Sequence, residues 1–176
     1  MRRQPDVAGA GGGREAPAFP GAPEIRIALA HGSHVEALVA LEQRIFAGDR
    51  LSRRSFRRLV GRPSAVFLVA EGEGALCGYA LVLLRRGSRI ARLYSLARDP
   101  AVAPPGTGRA LLGAAEAAAR EGGAAAMRLE VRMDNDAALQ LYGKCGYRSL
   151  ERLPSYYQDG ADGVRMEKRL DGGDAA

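Results

Sequence analysis

The stretch APPGTGRALLGAAEAAAREGG (residues 103–123) joins a proline-rich loop to an alanine-rich segment. Its small and apolar residues at helical spacing predict a helix over residues 107–121, which Gly122-Gly123 ends. Gly106 and Gly108 leave the backbone N–H groups of the first helical turn uncovered, and a helix N-terminus favours an anion. The stretch therefore predicts a site for a nucleotide, a dinucleotide or a pyrophosphate-bearing coenzyme.

Two common nucleotide-binding motifs do not fit this loop. A phosphate-binding loop requires Gly-x-x-x-x-Gly-Lys followed by Ser or Thr, and the sequence contains no such run. The dinucleotide motif Gly-x-Gly-x-x-Gly would need a glycine where Leu111 stands, and it follows an early strand of a parallel sheet. The present loop comes in mid-chain, after three strands that we expect to be antiparallel.

The hydrophobic periodicity predicts one folded domain with the element order β-α-α-β-β-β-α-β-α-β-β. We expect Ser33 to cap a helix over residues 33–46 and Ser52 to cap a short second helix. Residues 1–23 are rich in Gly, Ala and Pro without periodicity, which predicts a disordered leader. The folded domain is predicted over residues 24–170, and a disordered tail over residues 171–176.

The composition limits the classes of function. The chain of 176 residues carries a net charge of +6, with 24 arginines and two lysines. We interpret this excess of arginine as the codon bias of a GC-rich genome. We therefore expect no nucleic-acid partner. The sequence has no apolar run near the roughly 20 residues of a membrane span, and its start lacks the apolar segment of a signal peptide. Cys77 and Cys145 have no metal-binding spacing, so we expect free thiols, no metal site and a cytoplasmic protein.

Three segments in sequence resemble the GNAT superfamily of acyl-CoA-dependent N-acetyltransferases, and the resemblance covers about residues 24–170. They are LYSLARDPAVAPPGTGRALL (93–112), LEVRMDNDAALQLYGKCGY (129–147) and YYQDGADGVRMEK (156–168). The resemblance is greatest to the ribosomal-protein-alanine N-acetyltransferase branch. It implies an α/β (α+β) fold: a mixed, mostly antiparallel sheet of six to seven strands flanked by about four helices. The strands at 89–97 and 125–132 should run parallel and splay apart.

The resemblance also implies acetyl-CoA as co-substrate and assigns residues to it. The backbone of Leu96, Ala97 and Arg98 would line the pantetheine arm, and Asn135 would contact the coenzyme from the exit of the next strand. Ala103 departs from the family, which usually has Gln or Arg there, so one polar contact is lost. The pyrophosphate would be held by the loop residues Pro104, Pro105, Gly106, Thr107, Gly108 and Arg109.

Glu130 and Tyr142 are the candidate catalytic residues that the resemblance implies. Strand alternation places Glu130 on the face opposite Leu129 and Val131, where it is either a carboxylate paired to an arginine or the general base for the amine. Tyr142 is either a partly buried aromatic residue or the general acid for the departing thiolate.

The implied reaction is acetyl transfer to an amine, most plausibly a protein N-terminal amine such as that of a ribosomal protein. A small-molecule amine acceptor and a non-catalytic acyl-CoA-binding regulatory domain are the alternatives. The arginine cluster at residues 50–62 is interpreted as a solvated helix face, or else as a wall of the acceptor groove. Tyr156 and Tyr157 either line that groove or pack beneath it, and His31 and His34 are expected to be surface or capping residues.

Overall fold

A seven-stranded sheet forms the centre of the described chain, with four α-helices packed on its two faces. The computed structural model describes residues 25–46 and 50–171, so the predicted leader and all but the first residue of the predicted tail lie outside it. The elements are β1 (Ile25–Leu29), a 3₁₀ turn (Gly32–His34), α1 (Val35–Ile45), α2 (Arg53–Leu59), β2 (Ala65–Gly72), β3 (Ala75–Leu83), β4 (Ile90–Arg98), α3 (Thr107–Glu121), β5 (Ala126–Arg132), α4 (Asp136–Lys144), β6 (Arg148–Leu153) and β7 (Gly163–Arg169).

The strand order is β1-β2-β3-β4-β5-β7-β6. Within the described residues, β4 and β5 form the parallel pair and the other neighbours are antiparallel. A parallel pair needs a crossover connection, which α3 provides. The predicted mixed sheet, its strand number and the parallel pair are confirmed.

Each face of the sheet has its own apolar core. On the α3–α4 face, Leu111 and Leu112 of α3 and Tyr142 of α4 pack on Met127, Leu129 and other apolar residues of the central strands. On the α1–α2 face, the core contains Val35, Leu38, Leu41, Phe56, Leu59, Phe67, Val69, Tyr79, Leu81 and Ala97. The sheet therefore separates the two cores, and an opening in the sheet is where a ligand could contact both faces.

One predicted helix cap is right and one is wrong. The Ser55 N–H donates to Ser52 Oγ at 3.1 Å, so Ser52 caps α2 as predicted. Ser33 instead lies inside the 3₁₀ turn that precedes α1. There the His31 N–H donates to Nδ1 of His34 at 2.9 Å, so the histidines serve the turn as capping residues.

Candidate active site

The sheet opens between β4 and β5. Their pairing is limited to three steps, from Ile90 with Ala126 to Arg92 with Arg128, and stops there. A β-bulge in the pairing of β3 with β4 leaves Tyr94 as the extra residue, since Leu81 pairs with Ser95 and Val82 with Leu93. A bulge bends its strand and increases the local twist, which directs the end of β4 away from β5. The opening lies beside the predicted pantetheine-binding residues Leu96, Ala97 and Arg98.

The predicted pyrophosphate loop leads into α3 through a left-handed residue. Gly106 is the N-cap of α3 with φ +88°, a conformation that L side chains rarely adopt. A Cβ at Gly106 would meet no atom within 4 Å, so the backbone angle rather than crowding requires glycine here. Gly108 lies within α3 and is buried, in helical rather than left-handed backbone. Thr107 Oγ1 donates to the Pro104 carbonyl at 2.7 Å and closes the loop.

Asp99 holds the start of the same loop. Its Oδ1 accepts the Ala101 N–H at 3.0 Å, its backbone carbonyl accepts the Ala103 N–H at 2.8 Å, and Arg44 of α1 donates to Oδ2 at 2.8 Å. Burial opposes ionisation of Asp99, but the hydrogen bonds from Arg44 and Ala101 outweigh it and keep the pKa of this carboxyl below its usual value. Helix α1, on one face of the sheet, is thus tied to the predicted pyrophosphate loop.

Helix α4 presents Asn135 and Tyr142 toward the α3–α4 face. Asn135 Oδ1 accepts the Ala138 N–H at 3.0 Å, so the predicted coenzyme contact is also the N-cap of α4. Tyr142 is fully buried, and its ring centroid lies 5.6 Å from that of Tyr147 in an edge-to-face arrangement. In this structure Tyr142 belongs to the core, as the structural interpretation of the sequence expects.

Glu130 lies on the opposite face of the sheet and is held by two arginines. It is 5% exposed. Its Oε2 accepts from Arg92 on β4, at 2.8 Å from Nη2 and 3.0 Å from Nε, and its Oε1 accepts from Nε of Arg165 on β7 at 3.2 Å. Both carboxylate oxygens therefore receive charge-assisted hydrogen bonds. Arg165 also donates to Glu151 at 2.6 Å.

A cavity of about 280 Å³ borders Glu130. Tyr156 lines it, with its hydroxyl 3.5 Å from Nη2 of Arg92, whereas Tyr157 is buried beneath. Tyr157 thus follows the packing alternative, and the lining of the acceptor groove by Tyr156 stays a prediction. The remaining lining residues are Ile90, Ala91, Arg92, Arg128 and Arg165. Because Glu130 and Tyr142 lie on different faces, a single reacting group could contact both only at the opening between β4 and β5.

Another buried carboxylate belongs to Glu42 of α1. Glu42 accepts from the Tyr79 hydroxyl at 2.7 Å and from the Leu51 N–H at 2.7 Å, and the Tyr79 hydroxyl is 3.0 Å from Ser95 Oγ. Ser95 directly follows the bulged residue Tyr94, so this network connects the bend of β4 to the segment that enters α2. No local pattern in the sequence indicates this network, since its members come from three separate elements and the loop before α2.

The arginine cluster lies largely on α2, which contains Arg53 and Arg57. Arg53 is 2.6 Å and Arg57 is 3.7 Å from the Glu36 carboxylate on α1, and all three side chains are more than half exposed. This agrees with the solvated-face interpretation of the cluster. Its position as an acceptor wall stays a prediction.

A larger groove of about 750 Å³ runs along α3, on the α3–α4 face of the sheet. Arg109, from the predicted pyrophosphate loop, lines one part of it. Lys168 donates to the buried Glu116 carboxylate in its wall at 2.7 Å. The other basic residues of its lining are Arg120, Lys144, Arg148 and Arg169. The groove is therefore rich in positive charge and adjoins the start of α3.

The sequence analysis missed Arg92 and Arg165, which contact the candidate base. Strand alternation around Leu93 predicts that Arg92 lies on the same side of its strand as Tyr94. It does not predict that Arg92 lies beside Glu130. That proximity depends on β4, β5 and β7 being neighbours in the sheet.

The described residues give no sign of a membrane helix, since none of their helices is long and apolar enough to span a bilayer. Within the same residues, no three His, Cys, Asp or Glu side chains are grouped so that they could hold a metal ion. Cys77 is buried and Cys145 half-buried, both as free thiols.

Comparison with known proteins agrees with this architecture. Residues 35–147 match the acetyltransferase (GNAT) family. The chain is 36% identical over 143 residues to N-alpha-acetyltransferase RimI of Mycobacterium tuberculosis, covering 76% of this chain and 84% of that one. It is 34% identical over 117 residues to an N-alpha-acetyltransferase of Sulfurisphaera tokodaii, covering 60% of this chain and 70% of that one. The crystal structure of the ribosomal-protein-S18-alanine N-acetyltransferase from Escherichia coli superimposes with a TM-score of 0.75 at 25% identity, covering 87% and 99% of the two chains. The chain is therefore an acyltransferase of the acetyltransferase (GNAT) family.

Proposed function

We propose that this enzyme transfers the acetyl group of acetyl-CoA to the α-amine of a protein N-terminus. The observation that carries the proposal is the opening between β4 and β5. Glu130 lies on one face of the sheet there, and the other face carries helix α3, which Gly106 caps, and Tyr142 of α4. The names of the Mycobacterium tuberculosis and Sulfurisphaera tokodaii relatives, both N-alpha-acetyltransferases, support an α-amine acceptor.

The residues around the opening suit a coenzyme with a pyrophosphate and an extended arm. The Thr107 N–H donates to the Pro104 carbonyl at 3.2 Å, and the N–H groups that follow it in the first turn of α3 favour negative charge. The residues preceding them are held by Thr107 and Asp99. Arg109 adds a guanidinium at the edge of the basic groove. Because β4 is paired with β3 but not with β5 beyond Arg92, those backbone groups between Leu96 and Arg98 that point away from β3 are available to an extended ligand.

Acetyl-CoA supplies the acetyl group as a thioester, and the protein must handle the protons. The acceptor arrives as an ammonium, and Glu130 takes one proton, directly or through a water molecule. The amine nitrogen then forms a bond to the thioester carbon, with the oxyanion stabilised by a backbone N–H of β4. As the carbon–sulfur bond breaks, Tyr142 gives its phenolic proton to sulfur. The acetylated nitrogen gives its second proton to the Tyr142 phenolate, which restores the phenol, and Glu130 releases its proton to water.

A thiol-release assay with acetyl-CoA tests the proposal on three sets of acceptors. These are peptides with a free α-amine and no lysine, the same peptides with a blocked α-amine and one internal lysine, and small amines. We expect release with the first set only. Release with small amines alone would replace the protein acceptor, and binding of acetyl-CoA without release to any acceptor would favour a non-catalytic coenzyme-binding domain.

A further inference from the structure

The cavity beside Glu130 is lined by more positive than negative groups. Its charged lining consists of three guanidiniums, from Arg92, Arg128 and Arg165, and the single carboxylate of Glu130. Its volume of about 280 Å³ is near the lower end for ligand sites, which start at about 300 Å³. It therefore suits the end of an acceptor rather than an extended molecule. Arg128 and Arg165 also have carboxylate partners outside the lining, Glu167 and Glu151.

The two arginines on Glu130 are not equivalent. Arg165 divides its guanidinium between Glu130 and Glu151. Arg92 forms an ion pair with Glu130 and with no other carboxylate in residues 25–46 and 50–171, and its guanidinium lies 5.5 Å from the centre of the Tyr94 ring. The Arg92 side chain is 38% exposed. Arg92 is therefore the partner that an incoming anion reaches and that can turn toward it.

Arg92 occupies Oε2 of Glu130 with two of its N–H groups. A carboxylate on the acceptor changes this, because it offers Arg92 an alternative partner of the same chemistry and offsets the positive charge of the cavity. When Arg92 turns to the acceptor, Oε2 of Glu130 is exposed toward the neighbouring ammonium. The amine and the acceptor carboxylate must then lie within a few ångströms of each other, as the Arg92 and Glu130 side chains do.

We propose that the preferred acceptors are peptide N-termini with Asp or Glu among their first two residues, and that Arg92 is the residue that recognises this carboxylate. The inference rests on the proposed function, since it specifies the acceptor of the same site. Arg92 acts as a specificity residue, and by leaving Glu130 it prepares the base for the ammonium proton.

The test compares kcat/KM for pairs of lysine-free peptides that differ only by Glu against Gln, or Asp against Asn, at position 1 or 2. In the wild type we expect at least one acidic peptide to exceed its amide counterpart by about tenfold, the scale of one charge-assisted hydrogen bond. The ratio should fall to about one in Arg92→Gln and to an intermediate value in Arg92→Lys, which keeps the charge but loses the planar fork. It should also shrink at high salt.

Arg26→Gln is the matched control, because Arg26 forms an exposed ion pair with Glu71 near the far edge of the sheet. Its acidic preference should equal that of the wild type. Equal kcat/KM for acidic and amide peptides in the wild type would overturn the inference while leaving the proposed function intact, and so would an acidic preference that survives in Arg92→Gln. Acetyl-CoA binding without turnover of any peptide would contradict the proposed function itself.

Discussion

Two buried carboxylates on the α1–α2 side of the sheet have opposite surroundings. Glu42 is 1% exposed and accepts from neutral donors, the Tyr79 hydroxyl and the Leu51 N–H. Glu130 is 5% exposed and accepts from two guanidiniums beside a cavity. The first carboxylate is enclosed by the core, and the second forms part of a wall that a ligand can reach.

The difference lies in what happens to the partners when the carboxylate is removed. Tyr79 is fully buried and Leu51 partly buried, so without Glu42 the Tyr79 hydroxyl would lose this hydrogen bond and gain no water in its place. The side chains of Arg92 and Arg165 are 38% and 31% exposed, so water or a ligand can replace Glu130 as their partner. Glu42 is therefore suited to holding elements together, whereas Glu130 is suited to changing partners during a reaction.

The largest effect that we expect from this comparison is the loss of turnover in the Glu130→Gln variant. We expect kcat to fall by about 10² to 10⁴-fold, the usual contribution of a positioned acid or base, with little change in the free energy of unfolding. The loss should recover partly at alkaline pH, where the free amine is abundant. The measurements are pH–rate profiles and urea unfolding. A wild-type pH profile in the variant would show that another group is the base.

Tyr142→Phe should produce a kcat loss of about 10²-fold. The phenylalanine ring keeps the packing against Tyr147, so acetyl-CoA affinity and folding should change little. Steady-state kinetics with calorimetry of acetyl-CoA binding would separate these quantities. If kcat is retained, Tyr142 is a core residue only, and the proton of the thiol must come from elsewhere.

Glu42→Gln should have the reverse profile of Glu130→Gln. A glutamine places an NH₂ group toward buried donors, so we expect the free energy of unfolding to fall by about 1–3 kcal/mol, with a much smaller loss of kcat than in Glu130→Gln. Urea unfolding of Glu42→Gln, Tyr79→Phe and the double variant gives the coupling free energy between the two residues. The losses of unfolding free energy in the single variants should not add up to that of the double variant, because the two side chains share one hydrogen bond. Simple additivity would contradict a shared network.

The smallest predicted effect concerns Asp99, whose surroundings combine an arginine with a backbone N–H. Because its pKa is lowered in the folded protein, its contribution to stability is complete above the unfolded value of about 3.9 and is lost as the pH falls through the folded pKa. Arg44→Gln should cost below about 1 kcal/mol at pH 7, since the Arg44 side chain is 51% exposed. The difference from wild type should vanish in acid, as urea midpoints at the two pH values would show. An equal difference at both values would mean that Arg44 contributes through packing instead.

Local patterns in the sequence were sufficient for much of the site. The Ser52 cap and the placement of Glu130 opposite Leu129 each depend on a few adjacent residues, and the structure has both. Ser33 failed because a 3₁₀ turn and His34 occupy the start of α1, and a capping pattern does not distinguish a helix from the turn before it.

The sequence by itself determined the elements and the glycine-led helix, since helical and strand periodicity and turn chemistry act over a few residues. The residue types that suit acetyl transfer followed from its resemblance to the GNAT superfamily. Only the tertiary structure decided that Arg92 and Arg165 hold Glu130. These residues are 38 and 35 positions from Glu130, and they meet because β4 and β7 flank β5 in the sheet. The tertiary structure likewise decided that Glu130 and Tyr142 lie on opposite faces, joined where β4 bends from β5. Strand order and bulge position arise from packing between distant segments, which no local pattern contains.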